Sequence, residues 1–313
     1  MSSQDNTIAL IGFGEAASAF VAGWGGARAR HCRAFDIKTD SKRPGISESK
    51  YLDYEKSGVQ GHGTLEAALR GSTRVFSLVT ADQAGAAARS AAAFLEPGAF
   101  FLDCNSCSPG VKRNSARVIN AAGGCYVDVA IMAPVHPGLH RTPLTISGPY
   151  AGSALELLGG LEMTATVAGT GVGDASSIKM IRSIVMKGLE ALVADCVLAG
   201  RLAGVDEAVL ATLEKTYPGF GWEQRAGYML ERMMTHGVRR AAEMGEVAST
   251  LEELGLGTAL ADATMERQQR IGELGLIAQS PDYRVLADQI LESLTPAGEI
   301  GGGQNYSTIE QKE

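Results

Sequence analysis

Through the first half of the chain, short apolar runs that end in glycine, threonine or aspartate alternate with patterns of helical period. TIALIGFG (7–14) reads as a buried strand ending in glycines, and EAASAFVAGWGGA (15–27) as the helix that follows it. CRAFDI (32–37), RVFSLVT (74–80) and AFFLDC (99–104) read as further strands. TLEAALRG (64–71), DQAGAAARSAAAFL (82–95) and PGVKRNSARVINAAG (109–123) read as helices, the first with Thr64 as its cap. CYVDVAIM (125–132) and PLTISG (143–148) add two more strands. This alternation predicts a parallel sheet with helices on both faces. Beyond about residue 165 the strand patterns stop. GDASSIKMIRSIVMKGLEALVADCVLAGRLAG (173–204) has helical periodicity throughout, and helical patterns continue over 206–216, 221–235, 237–254, 258–275 and 282–293. The Gly-rich, polar stretch 295–313 reads as a mobile tail, and no internal repeat is visible. The expected plan is a Rossmann-type α/β domain over 1–165 and an all-α domain over 166–313, joined by one long helix.

Composition narrows the partners. Of 313 residues, 45 % are hydrophobic and 20 % charged, which is ordinary for a globular protein. A net charge of −7 leaves no large basic field for nucleic acid or an anionic membrane, although a few local cations suffice for a small anionic substrate. No apolar run is long enough for a membrane span, and MSSQDNT lacks a signal-peptide core. Five cysteines without a framework spacing point to a reducing, cytoplasmic setting.

The strongest chemical signal is IGFGEAA, a G-x-G-x-x-A pattern formed by Gly12, Gly14 and Ala17. The first glycine permits a tight turn, the second leaves room for a pyrophosphate, and the helix N-terminus offers free N–H groups. The pattern follows a strand, opens a helix, and is followed by Asp36, placed to hold an adenosine ribose. Gly12, Phe13, Gly14, Glu15, Ala16 and Asp36 are therefore the candidate dinucleotide residues, with Thr80, Ala81 and Asn105 from the next strand ends. Asp36 repels a 2′-phosphate and favours NAD; Lys38, Lys42 and Arg43 could hold that phosphate and admit NADP instead.

Ligands of such sheets lie at the carboxyl ends of the strands. The loops expected there are VTADQ (79–83), DCNSCSPG (103–110) and IMAPVHPGLHRTP (131–143). Asn105 and Ser106 suit a hydroxyl or carboxylate, while Ser108 before Pro109 reads as a helix cap. Cys104 and Cys107 form a C-x-x-C with no second pair, so no metal site is expected. His136, His140 and Arg141 form either a solvated loop or a cationic edge beside an acidic substrate.

Four blocks in order, IGFGEAA, DCNSCSP, DVAIMAPVHPGLHRTPLTISG and GTGVGDASSIKMIRS, resemble the β-hydroxyacid dehydrogenase family, relatives of 6-phosphogluconate dehydrogenase. The resemblance covers nearly the whole chain and is to a divergent branch with an uncharacterised C-terminal helical domain. It implies that Lys179 is the catalytic lysine, acting as general acid in one direction and base in the other. It implies a homodimer formed by the helical domain. Ser183 stands where the family has a substrate-holding asparagine. Met132-Ala133-Pro134 stands where it has a Ser-Gly-Gly turn for the substrate carboxylate.

The chemistry agrees with that placement. As a carbinol carbon gives up hydride, its hydroxyl proton needs an acceptor, and a lysine among apolar and cationic neighbours can serve. At about 100° and 1.5 Å per residue, Lys187 lies about 80° around the helix from Lys179 and about 12 Å along it. Lys179 would then transfer the proton, and Arg182 or Lys187 would hold a distal carboxylate or phosphate. Lys187 is equally readable as a snorkelling side chain. His236, Arg239 and Arg240 read as a basic helix face, solvated or completing the pocket. The expected activity is an NAD(P)-dependent oxidoreductase for a small hydroxy acid or related alcohol. The alternatives are a dinucleotide-binding sensor without turnover and an imine-type reductase on the same scaffold.

Overall fold

A computed structural model describes residues 7–294. The stretch 295–313, expected to be a mobile tail, lies outside the described residues.

The apolar runs become strands and the patterns between them helices. β1 (Ile8–Ile11) leads into α1 (Glu15–Trp24), the single turn α2 (Gly26–Ala29) and β2 (Cys32–Phe35). There follow α3 (Ile46–Ser57), β3 (Gln60–Gly61), α4 (Leu65–Leu69), β4 (Arg74–Ser77), α5 (Ala84–Ala92) and β5 (Phe100–Asp103). Then come α6 (Pro109–Ala121), β6 (Cys125–Ile131), β7 (Leu144–Ser147), α7 (Ala151–Gly160) and β8 (Ala165–Gly169). Among the described residues the sheet has the order β3-β2-β1-β4-β5-β6-β7-β8. Every neighbouring pair is parallel except β6 and β7. β1 buries both faces: Ile8 and Leu10 pack with Phe20, Phe76 and Val127, and Ala9 and Ile11 with Val75 and Phe101. Each large apolar side chain so buried contributes about 1.5–3 kcal/mol. Thr64 caps α4 by accepting the Ala67 N–H, as its position suggests.

The remaining elements are helical: α8 (Asp174–Ala203), α9 (Asp206–Thr216), α10 (Trp222–Glu253), α11 (Ala259–Gly272) and α12 (Tyr283–Leu294). The chain is thus an α/β Rossmann-like half followed by an all-α half, with a long helix leading from one to the other. No helix among the described residues is long and apolar enough to cross a membrane.

The sheet departs from the expected parallel pattern at β6–β7, the two-residue β3 was not anticipated, and the helix expected over 15–27 is interrupted at Gly25; three further parts differ from the expectation. α3 was not anticipated because its sequence, ISESKYLDYEKS, is mostly polar; its buried residues are Lys50 and Tyr54. β8, reached through the unanticipated helix α7, carries the sheet past residue 165, and as an edge strand with an exposed middle it lacks a buried run. The patterns at 221–235 and 237–254 are one helix. Gly237 does not break it; a Cβ there would lie 2.4 Å from the Gln268 carbonyl oxygen and 2.7 Å from Gly272 Cα. The glycine serves a close approach of α10 to α11.

Two compact units divide the chain. Among the described residues, one extends to Met186 and also includes Ala242–Met265; the other comprises Lys187–Ala241 and the stretch 266–294. In the first, Met180 of α8 packs with Met244 and Val247 of α10 and Ala261 of α11. In the second, Val193, Val197, Leu230, Met233, Ile271, Leu286 and Ile290 form the core. Arg240 pairs there with the buried carboxylate of Glu190, which also accepts from Gln268 Nε2 at 2.9 Å. Arg240 is therefore a structural partner of Glu190 and not part of a solvated basic face.

Candidate functional site

The glycine turn is built as its spacing requires. Gly12 has φ +83°, and a Cβ there would sit 2.6 Å from the Leu78 carbonyl oxygen, so only glycine fits. A Cβ at Gly14 would meet nothing within 4 Å. Gly14 opens α1 with no side-chain cap, which leaves the first N–H groups of the helix for an anion. Glu15 is exposed and Ala16 half-buried beside it. At the end of β2, Asp36 is already engaged: Oδ2 accepts the Phe13 N–H at 2.8 Å and Oδ1 the Lys38 N–H at 2.9 Å. Each oxygen keeps a further lone pair, which suits a ribose hydroxyl. Buried Lys50 braces the turn from α3 by donating to the Phe13 carbonyl at 2.8 Å, and Tyr54 packs edge-on to the Phe13 ring at 5.0 Å. Burial pushes the Tyr54 hydroxyl pKa up. Lys38, Lys42 and Arg43 are exposed after β2, as is Thr80 after β4, where Ala81 is half-buried.

The loop after β5 joins the next two candidates. Asn105 is buried; its amide nitrogen donates to Ser77 Oγ (2.9 Å) and Asp103 Oδ1 (2.7 Å), and its oxygen accepts the Val79 N–H (2.7 Å). Both its donors are thus used inside the protein, and one acceptor lone pair remains for a ligand. Ser106 is half-buried, and Lys179 Nζ donates to its Oγ at 2.5 Å. One turn along α8, Arg182 Nη1 lies 3.5 Å from the Met132 carbonyl. The first turns of α8 therefore reach the carboxyl ends of β5 and β6. Ser108 caps α6 through the Val111 N–H.

Other candidates fall elsewhere. Ser183 and Lys187 are buried along α8. His136 is exposed. His140 is buried, with its ring where a Cβ of Gly23 would be, so it packs against α1 and is not a ligand edge. Burial lowers its pKa, and the charge of Arg141 adds to the effect. Arg141 pairs with Glu162 at 2.9 Å. The five cysteines are free; burial pushes the Cys104 thiol up to about 12 and also raises Cys107.

Two groups were not legible as site residues. Glu246 of α10 accepts the Ser108 N–H at 2.7 Å, and its pKa is raised by burial. Lys112 of α6 is fully buried between Asp103 (3.0 Å) and Asp128 (3.4 Å). Burial disfavours its charge, but Asp103, with Cys107 and Asp128, outweighs this and raises its pKa. Asp103 and Asp128 each end or interrupt an apolar run, a signal of a buried carboxylate, but nothing in the sequence names their partner.

A domain of unknown function, DUF1932, matches residues 201–271. Mycobacterium tuberculosis 3-hydroxyisobutyrate dehydrogenase shares the fold at 13 % identity, with 91 % of this chain and 98 % of that one covered and a TM-score of 0.67. A conserved protein of unknown function, described as structurally similar to 3-hydroxyacid dehydrogenases, is 28 % identical; 86 % of this chain and 99 % of that one are covered, with a TM-score of 0.63. A conserved hypothetical protein from Sinorhizobium meliloti 1021 is 34 % identical, with 92 % of this chain and 96 % of that one covered and a TM-score of 0.71. The chain belongs to the family of that protein, a divergent branch within the 3-hydroxyacid and 6-phosphogluconate dehydrogenase-like fold family.

Proposed function

We propose that the protein is an NAD(P)-dependent oxidoreductase that interconverts a small hydroxy acid, or a related polar alcohol, and its carbonyl form. The observation that carries this reading is the Lys179–Ser106 contact, an ammonium held at the carboxyl edge of the sheet. The glycine turn leaves the same edge, and its open Gly14 and uncapped helix fit a dinucleotide. Gly12, Phe13, Gly14, Glu15, Ala16, Thr80, Ala81 and Asn105 would hold that dinucleotide, with Asp36 on its adenosine ribose. When bound, the nicotinamide supplies the hydride acceptor or donor. Asp36 favours NAD, and exposed Lys38, Lys42 and Arg43 are the residues that would admit NADP.

Lys179, as the neutral amine, takes the substrate hydroxyl proton at Nζ as the carbonyl forms, and the resulting ammonium returns it in the reverse direction. Ser106 orients Nζ and, with Ser183, the substrate hydroxyl. Pro134 has no N–H, so the Met132-Ala133-Pro134 turn offers fewer donors than the family's Ser-Gly-Gly. Arg182, beside the Met132 carbonyl, supplies a cation in their place. Lys187 and His136 are further candidates for a distal anionic group. Residues 1–165 serve as the dinucleotide domain and 166–313 as the substrate and dimerisation domain. Ile178, Ile181, Val185 and Leu192 support a homodimer: they lie along one face of α8 and are 47, 48, 66 and 62 % exposed. The free cysteines suit a reducing cytoplasm.

The test titrates NADH and NADPH by fluorescence and screens hydroxy acids by absorbance. Lys179→Ala should retain dinucleotide binding while turnover falls at least about 10²-fold, the scale of general acid–base catalysis. Unchanged turnover removes Lys179 from its role, and binding without turnover on any acid favours a sensor.

A further inference from the structure

Lys112 is a buried cation that proton transfer at Lys179 does not use. Its ammonium donates to the Asp103 backbone carbonyl at 2.6 Å and to Asp103 Oδ1 at 3.0 Å, and lies 3.4 Å from Asp128 Oδ1. All three side chains have 0 % exposure.

Each carboxylate leads to a different half of the site. Asp103 Oδ1 accepts the Asn105 backbone N–H (3.1 Å) and side-chain amide (2.7 Å), and Asp103 Oδ2 accepts the Tyr126 hydroxyl (2.6 Å). Asn105 immediately precedes Ser106. Asp128 Oδ2 accepts the Ser176 N–H (3.0 Å) and Ser147 Oγ (3.1 Å), and Oδ1 accepts the Ser176 hydroxyl at 2.5 Å. Ser147 Oγ in turn accepts the Ala175 N–H at 3.0 Å. Ala175 and Ser176 form the first turn of α8, and Ser176 lies one turn before Lys179 on the same side of the helix. The two ends of the Lys179–Ser106 contact are thus tied to one ammonium.

An apolar cluster would hold β5, β6 and α6 together without the desolvation cost of three charges. It would not set direction, whereas an ammonium with three N–H groups facing fixed acceptors does. We propose that Lys112 is a positioning residue that, through Asp103 and Asp128, fixes the Ser106 loop and the start of α8 relative to each other and so sets the seat of Lys179. The proposal rests on the reading of Lys179 as the acid–base group.

The test reads Lys179 without substrate. The protein is labelled with a trace of acetic anhydride, and the modification rate of each lysine is measured by peptide mass spectrometry, with exposed Lys56 as internal reference. Ser106→Ala, which removes the direct contact, sets the scale. Lys112→Met and Ser176→Ala should each change the rate at Lys179 about tenfold, the factor for one pKa unit, and leave Lys56 unchanged. The double variant Lys112→Met/Ser106→Ala should change it no more than Ser106→Ala alone. A folded Lys112→Met protein with the wild-type rate at Lys179 overturns the proposal. If Lys112→Met does not fold, Asp103→Asn and Ser176→Ala decide, and wild-type rates in both overturn it. Because the labelling needs no turnover, a protein inactive on every hydroxy acid refutes the oxidoreductase reading and leaves this result to stand or fall separately.

Discussion

Replacing Lys112 by methionine keeps the unbranched stem, one atom shorter, and removes the charge. The structure sets what is lost. Two carboxylates with no exposure lose their cation, at 3.0 and 3.4 Å, while the Asp103 backbone carbonyl loses a donor at 2.6 Å. Both acids keep other donors: Asp103 keeps Asn105 and Tyr126, and Asp128 keeps Ser147 and Ser176. The local fold should survive, therefore, but with an uncompensated buried charge. Breaking a buried pair by removing one partner costs about 3–5 kcal/mol, and two orphaned carboxylates place this case at the upper end. For a domain of this size each kcal/mol moves the melting temperature by about 2–4 °C, so a drop of about 10–20 °C is expected. The assay is thermal unfolding followed by circular dichroism, with urea unfolding to confirm that the m-value is unchanged. Lys112→Met combined with Asp103→Asn and Asp128→Asn should recover about half the loss, because neutral amides need no counter-ion. A single variant melting within about 2 °C of the wild type would show that the cation is not needed by the carboxylates around it.

Gly14→Ala should leave the melting temperature unchanged, since its Cβ meets nothing within 4 Å, yet weaken NADH binding at least about tenfold if a pyrophosphate lies there, an effect read by fluorescence titration. Gly12→Ala, which puts a methyl 2.6 Å from a backbone oxygen at positive φ, should lower both. Gly23→Ala drives a methyl into the ring of His140 and should cost about 1–3 kcal/mol by urea unfolding. His62 and His140 both have pKa values lowered by burial, so the unfolded chain takes up protons that the folded chain refuses. Stability is therefore full above about pH 6.5 and falls as pH drops below it; His62→Gln/His140→Gln should flatten that slope in melts between pH 7 and 5.

What the chain declares locally is what its sequence let one read. The glycine turn, the buried strands around it and the 30-residue α8 follow from short-range pattern, because each is specified by the spacing of a few neighbours. Lys179 drew attention by its place after glycines at the start of that helix, and its Nζ donates to Ser106 Oγ. α3 escaped because its buried face consists of a lysine and a tyrosine amid polar residues. The patterns at 221–235 and 237–254 were read apart although they are one helix, and that Gly237 marks a close crossing with α11 is decided only by its neighbour. Lys112 and Glu246 escaped for a related reason: their partners lie 9 and 138 residues away, and no local period encodes such a pairing. His140 and Arg141 looked like chemistry because polar residues in a strand-end loop often are, but burial gave one to packing and a surface pair took the other.

The return of Ala242–Met265 to the sheet-bearing unit bears on how the protein is made and taken apart. Until that stretch leaves the ribosome, the Ser108 and Gly110 N–H groups have no Glu246 or Glu253 to receive them, and the Met180 side chain lacks its partners Met244 and Val247. A nascent chain that has completed α8 still lacks these contacts, so the sheet-bearing unit is complete only once 242–265 has emerged. A fragment cut after α8 would carry that same defect permanently, and a shorter version of the protein would have to graft residues 242–265 back onto it through a linker.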